Sequence, residues 1–181
     1  MASKTTTVKR DPYADLPPLP SFSLASSLVA EGETMPIAQR DGIFGSEGQD
    51  TSPDLTWSGF PDETQSFIVT MYDPDAPTPS GFWHWAVINL PASVTSLAAG
   101  VGDGDNTLPE GSTHLPNDAS SRRYIGAGPP PGDPPHRYFI VVTALEVSEA
   151  GVPATATLAL ALFHTRANTL ARAMLVPVYG V

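Results

Sequence analysis

Two short apolar runs near the middle of the chain bracket a proline-stiffened corner. Residues 67–72 (FIVTMY) and 85–90 (WAVINL) are rich in β-branched and aromatic side chains and short enough to be strands. Pro74, Pro77, Pro79 and Gly81 lie between them and exclude a helix there. The pattern therefore predicts a strand pair with Asp73, Asp75 and His84 at its mouth. Elsewhere, residues 22–29 alternate apolar and small polar positions and predict a strand. Residues 35–39 and 55–57 are further candidates, as is a brief segment at 124–126. Residues 138–145 (YFIVVTAL) carry the strongest strand signal in the chain. Residues 156–174 place Leu158, Ala161, Leu162, Thr165, Thr169, Leu170 and Ala173 on one helical face, which predicts a late helix.

The spacers are as informative as the runs. Residues 41–54 read as a loop. Residues 92–121 form a long polar connection, and a connection of that length is functional or held by its own contacts. Residues 126–135 (GAGPPPGDPP) read as a rigid turn-rich loop. Residues 1–18 are polar and then proline-rich, expected as a flexible start and an extended arm, with 19–181 as one domain. The expected class is mainly β, a sandwich with proline-rich crossings and a C-terminal α-helix.

Composition narrows the function. The chain has 181 residues, enough for one domain with a real core, and 20 prolines, about twice ordinary usage. It has no cysteine, no apolar leader-like run near its start and no stretch apolar enough to span a membrane, so a cytoplasmic protein is expected. The net charge is −10, and no Lys or Arg occurs between Asp41 and Ser121. Nucleic-acid binding needs several cations aimed at phosphates, so that class is excluded, as is a polybasic lipid surface. An anion bound here would be small and held by hydrogen bonds and histidine.

The chemistry candidates follow from the loop–strand junctions. His84 and His136 each sit where a Pro/Gly loop meets a strong strand, with Asp73 at a third such junction. If they converge, two imidazoles and a carboxylate would hold a phosphate or carboxylate, with Trp83 or Trp85 adding cation–π contact to a ligand ammonium. Arg137 needs a partner, expected to be Asp73 or Asp75. Asp75 also reads as a cap of its proline turn. His114 and His164 are expected to be structural. Two His with two Asp also fit zinc or iron, although no metal-ligand spacing requires it. The Asp-x-Asp resembles an aspartyl phosphotransferase opening, but Ala76 and Pro77 follow it and no lysine follows Lys9. Gly126-Ala127-Gly128 is not a dinucleotide loop, because Pro129 to Pro131 offer no N–H to a pyrophosphate.

Asp73-Pro74-Asp75-Ala76-Pro77, the Trp83-His84-Trp85 triplet, Ser52-Pro53-Asp54-Leu55-Thr56-Trp57, and Gly126 to Gly132 leading into His136-Arg137-Tyr138 together resemble the phosphatidylethanolamine-binding protein family. The ending, FHTRANTLARA followed by Tyr179-Gly180, resembles its bacterial Raf-kinase-inhibitor-like branch. The resemblance implies a β-sandwich with a small anion pocket made by Asp73, Pro77, His84, Gly128, Pro130, His136 and Tyr138. Asp75, Trp83 and Arg137 would support it. It implies non-enzymatic binding of phosphate, phosphoethanolamine or a phospholipid head group, without cofactor or metal, with a kinase or protease as a regulated partner and a homodimer as the assembly. The alternative is a hydrolase or metal-dependent enzyme using the same cluster.

Overall fold

The computed structural model describes residues 11–43 and 47–181, so the expected flexible start at 1–10 lies outside the described residues. Its elements in order are β1 (Ser23–Ala25), β2 (Leu55–Ser58), β3 (Ser66–Asp73), β4 (Phe82–Pro91), β5 (Ser96–Leu97), β6 (Thr113–His114), β7 (His136–Arg137), β8 (Phe139–Leu145), α1 (Leu158–Thr165), β9 (Thr169–Leu175) and β10 (Val178–Tyr179). The large sheet is antiparallel, in the order β6-β4-β3-β8-β9. A smaller antiparallel sheet, β1-β2-β5, lies across a core from it, and β7 pairs with β10. This is the expected mainly β class.

The central strands are buried on both faces, which is why they read as unbroken apolar runs. Phe67, Val69 and Met71 of β3, with Trp85 and Val87 of β4, face the main core shared with Leu55 and Trp57 of β2. Ile68, Ala86 and Ile88 face a second core closed by Leu158 and Ala161 of α1. The sheet is thus a middle layer, with β2 on one side and the helix on the other.

Several expectations need correction. The helix does not run over 156–174. Thr157 caps it, accepting from the Leu160 N–H at 3.2 Å, and it ends at Thr165. A 3-10 turn over Arg166–Asn168 then leads into β9. Ala171, Ala173 and Leu175 alternate with Arg172 and Met174, and pairing with β8 buries them at period two, overriding the helical pattern. Only Ser23–Ala25 of the 22–29 run is strand. The Ser26 hydroxyl turns the chain by accepting from Leu28 and Val29 N–H while donating to Asp54. Residues 35–39 hold a 3-10 turn, Ile37–Gln39, after Pro36. The 124–126 segment is not a strand of any sheet. Residues 12–16 of the arm form a turn, with Ala14 N–H on the Asp11 carbonyl and Leu16 N–H on that of Tyr13.

The 92–121 connection is held by its own contacts. It contributes β5 and β6 to the two sheets. Arg122 pairs with Asp105 and Arg123 with Asp103, each at 2.7 Å. His114 is structural: its Nε2 accepts from the Trp85 indole at 3.0 Å, and its Nδ1 lies 3.2 Å from Asp105. His164 places its Nδ1 3.0 Å from the Ala150 carbonyl.

Candidate functional site

Two irregularities of β4 position the site. Register slips between Phe67/Val69 and between Met71/Tyr72, so β4 carries an extra residue at each place. At the first, Asn89 takes a left-handed φ of 60° and its side chain accepts from the Ala150 N–H at 2.7 Å. At the second, Met71 faces Trp85 and Tyr72 faces Trp83, which leaves His84 as the unpaired bulge residue. The bulge re-aims His84 toward the main-core side, its ring 5.4 Å from that of Tyr138. It turns Trp83 to the opposite face, stacked on Tyr72 with ring centroids 4.2 Å apart.

Asp73 ends β3 as the corner begins. One carboxylate oxygen accepts from the Asp75 and Ala76 N–H groups at 2.8 and 3.0 Å, a side-chain turn that fixes the proline corner. The other meets His136 Nδ1 at 2.7 Å. A carboxylate accepts, so Nδ1 carries the proton and Nε2 is turned away from Asp73, 3.6 Å from the Asp133 carboxylate. His84 Nδ1 lies 3.1 Å from the Ile125 carbonyl. A carbonyl also only accepts, so Nδ1–H donates and Nε2 is left unprotonated in the neutral ring. Burial pushes the His84 pKa down. The Asp73 carboxylate and the Ile125 and Gly126 carbonyls oppose that shift, and His136 adds to it.

These side chains line one cavity of about 260 Å³. Asp73, His84 and His136 are buried on its floor, while Pro77, Thr78, Gly128 and Pro130 are exposed at its rim. The two imidazoles and the aspartate therefore converge. Tyr138 stands behind His84 without lining the cavity. Its hydroxyl is buried with no hydrogen-bond partner among the described residues. Burial, Asp73 and Tyr124 raise its pKa, and only the nearby Gly128 N–H opposes them. Asp75 supports the corner from behind, its carboxylate accepting from Arg137 Nε and Nη2, each at 2.9 Å.

The aromatic wall differs from expectation. Trp85 is fully buried in the main core, and Trp83 faces the other side of the sheet. The wall is Phe82, whose ring lies 4.8 Å from that of His84. Phe82 and His84 are two apart, so the period-two pattern carried that signal. Asp41 also lines the cavity, brought there by the Arg40–Ala127 bridge. No local signal marks a contact so distant in sequence. No group of three or more His, Asp or Glu side chains among the described residues is arranged to hold a metal ion.

Gly126 shows how tightly the rear wall is built. Its N–H donates to Asp50 at 2.8 Å, and a Cβ on it would collide with the Arg40 backbone. Gly126→Ala is expected to cost about 3 kcal/mol of stability in urea unfolding, because backbone cannot yield as a side-chain tip can. Gly132→Ala, where a Cβ meets open space but φ is 90°, should cost about 1 kcal/mol.

Residues 25–180 match the family model described as phosphatidylethanolamine-binding protein. The UPF0098 protein YbcL of Escherichia coli (strain K12) is 44% identical over 162 residues, covering 89% of this chain and 88% of that protein. UPF0098 protein YbhB of the same strain is 38% identical over 159 residues, covering 88% of this chain and all of that one (100%). The crystal structure of E. coli YbcL, described as a new member of the mammalian PEBP family, superposes with a TM-score of 0.86 at 43% identity, covering 89% of this chain and 99% of that one.

Proposed function

The chain belongs to the phosphatidylethanolamine-binding protein family, and from that premise we propose that its cavity binds a small oxyanion without turning it over: phosphate, phosphoethanolamine or the head group of a phospholipid. The observation that carries this reading is the convergence of the buried His84 and His136 imidazoles and the Asp73 carboxylate on one cavity, with Gly128 exposed at its rim. Imidazole and backbone N–H groups gathered in one hollow suit the oxygens of a small anion. The size fits. At about 260 Å³ the cavity lies below the usual range for drug-sized ligands, so it suits a head group rather than an acyl chain. The anion would meet His84, His136 and the Gly128 N–H. A ligand ammonium would meet Asp41 or Asp133 and the face of Phe82.

Two facts favour binding over turnover: the chain has no cysteine, and among the described residues that line the cavity the Thr78 hydroxyl is engaged with the Gly81 carbonyl. The Asp73–His136 pair is nonetheless the geometry that orients a general base, which favours a hydrolase as the second reading. Turnover of p-nitrophenyl phosphate lost in His136→Ala would establish that reading; binding without turnover would remove it. Regulation of a kinase or protease, homodimer formation and a cytoplasmic location belong to the same proposal. Pull-down, light scattering and cell fractionation read them in turn. Among the described residues no helix is long and apolar enough to cross a membrane.

His84→Ala tests the carrying observation. Phosphoethanolamine affinity, followed through the imidazole signals of the cavity in NMR titrations, should fall about tenfold, the effect of one hydrogen bond near 1.4 kcal/mol. Unchanged affinity, or no imidazole shift in wild type at millimolar ligand, would overturn the proposal.

A further inference from the structure

The six arginines of the described residues divide by partner. Arg122, Arg123 and Arg137 each pair with a carboxylate. Arg40 donates to the Met35 carbonyl and lies over the Tyr179 ring. Arg166 and Arg172 pair with no carboxylate among the described residues, and both line one cavity of about 400 Å³. In a chain of net charge −10, carboxylates are plentiful, so two unneutralised guanidiniums in one hollow need an account.

The hollow lies on the helix side of the large sheet, away from the His84 cavity. Thr70, Thr143 and Arg172 form part of its floor, the turn at Tyr13 one wall, and Leu162 and Phe163 of α1 another. The stacked Tyr72–Trp83 pair, turned outward by the His84 bulge, closes one end. Arg172 is half-buried, with its guanidinium 5.6 Å from the Tyr13 ring centre and without a side-chain hydrogen bond among the described residues. Burial lowers its pKa, the mark of a cation taken from water without a counter-ion. Arg166 is steered toward the hollow, lying 4.0 Å over the Phe163 ring and donating to the Phe163 carbonyl at 2.7 Å. Phe163 is 63% exposed, which leaves its other contacts open to a ligand.

We propose that this hollow is a second binding site, for an organic carboxylate with a flat apolar body: the carboxylate meets Arg172 and Arg166, and the body lies between Trp83, Tyr13 and Phe163. The chemistry differs from that of the first cavity. There, histidine and backbone groups meet a compact oxyanion. Here, two guanidiniums stand at an aromatic cleft whose volume falls within the range for small organic ligands. The site does not depend on the first reading.

Trp83 reports on it directly. Trp57 and Trp85 are at most 1% exposed, so a ligand-induced shift of an indole N–H signal reports on Trp83. Titration of the full chain with 2-naphthoate, followed by calorimetry and by the tryptophan indole N–H signals in NMR, should give a Kd below about 1 mM. Arg172→Met should weaken binding about tenfold and Arg166→Gln about threefold. The uncharged 2-naphthamide should bind at least about tenfold more weakly. Saturating inorganic phosphate should leave the naphthoate titration unchanged. If Arg172→Met does not fold, Arg166→Gln and the amide decide. Absence of binding at millimolar naphthoate, equal binding of the amide, wild-type affinity in every folded arginine variant, or competition by phosphate would each overturn the proposal.

Discussion

Asp73→Ala is expected to destabilise the protein by about 4 kcal/mol and to abolish anion binding. Three donors rely on this one carboxylate: the Asp75 and Ala76 N–H groups and His136 Nδ1. Asp73 is 3% exposed and His136 2%, so water cannot replace the lost partner of the ring. Breaking a buried, hydrogen-bonded pair by removing one member costs about 3–5 kcal/mol. Asp73→Asn separates the two roles of the carboxylate. An amide oxygen still accepts from the corner N–H groups, while the second carboxylate oxygen and the charge are gone. Its cost should be about 2 kcal/mol in the same urea unfolding experiment. A loss under about 1 kcal/mol in Asp73→Ala would show that the corner is held by its prolines alone.

That corner explains what was legible in the sequence. Asp73, His84 and His136 stand out because each interrupts an apolar run beside Pro or Gly. The runs are local, so the side chains at their ends can be read from the sequence. The convergence itself comes from pairing: β8 lies beside β3, and β7 continues into β8 after a single residue. Which way each ring points was not legible. Period two alone puts Trp83 and Trp85 on one face and leaves His84 on the other. The bulge breaks that alternation, and a bulge is a property of two strands in register, invisible in one. The same limit explains β9. Ala171 to Leu175 satisfy a helix by composition and a strand by alternation, and only the free edge of β8 decides between them. Asp41 entered the site through a bridge to a segment more than eighty residues away, where no periodicity reaches.

Acidification from pH 7 to 5 should weaken the unliganded fold, through His84 and His114, and strengthen its hold on a strong-acid anion, through His84. Its folded pKa is pushed down by burial, as is that of His114. Below the unfolded value near 6.5 the unfolded chain takes up protons that the folded rings refuse. The stability these rings contribute is therefore complete above that pH. It is lost as the pH falls from there toward the depressed folded values, at up to about 1.4 kcal/mol per pH unit per histidine. Urea midpoints at pH 7, 6 and 5 check this, and His114→Gln separates the two rings. Binding runs the other way. An oxyanion at His84 Nε2 needs a proton between them, because that nitrogen is bare in the neutral ring. Sulfate keeps its charge through this window and cannot bring one, so its affinity should rise up to about tenfold per pH unit on acidification while the free ring is neutral. A phosphomonoester loses its second proton near pH 6, so below that it carries its own O–H to Nε2. Its affinity should be nearly flat between pH 5 and 6 while that of sulfate still changes. The pocket thereby prefers weak-acid oxyanions at neutral pH, and equal pH dependence for sulfate and phosphoethanolamine would show that His84 Nε2 does not touch the ligand.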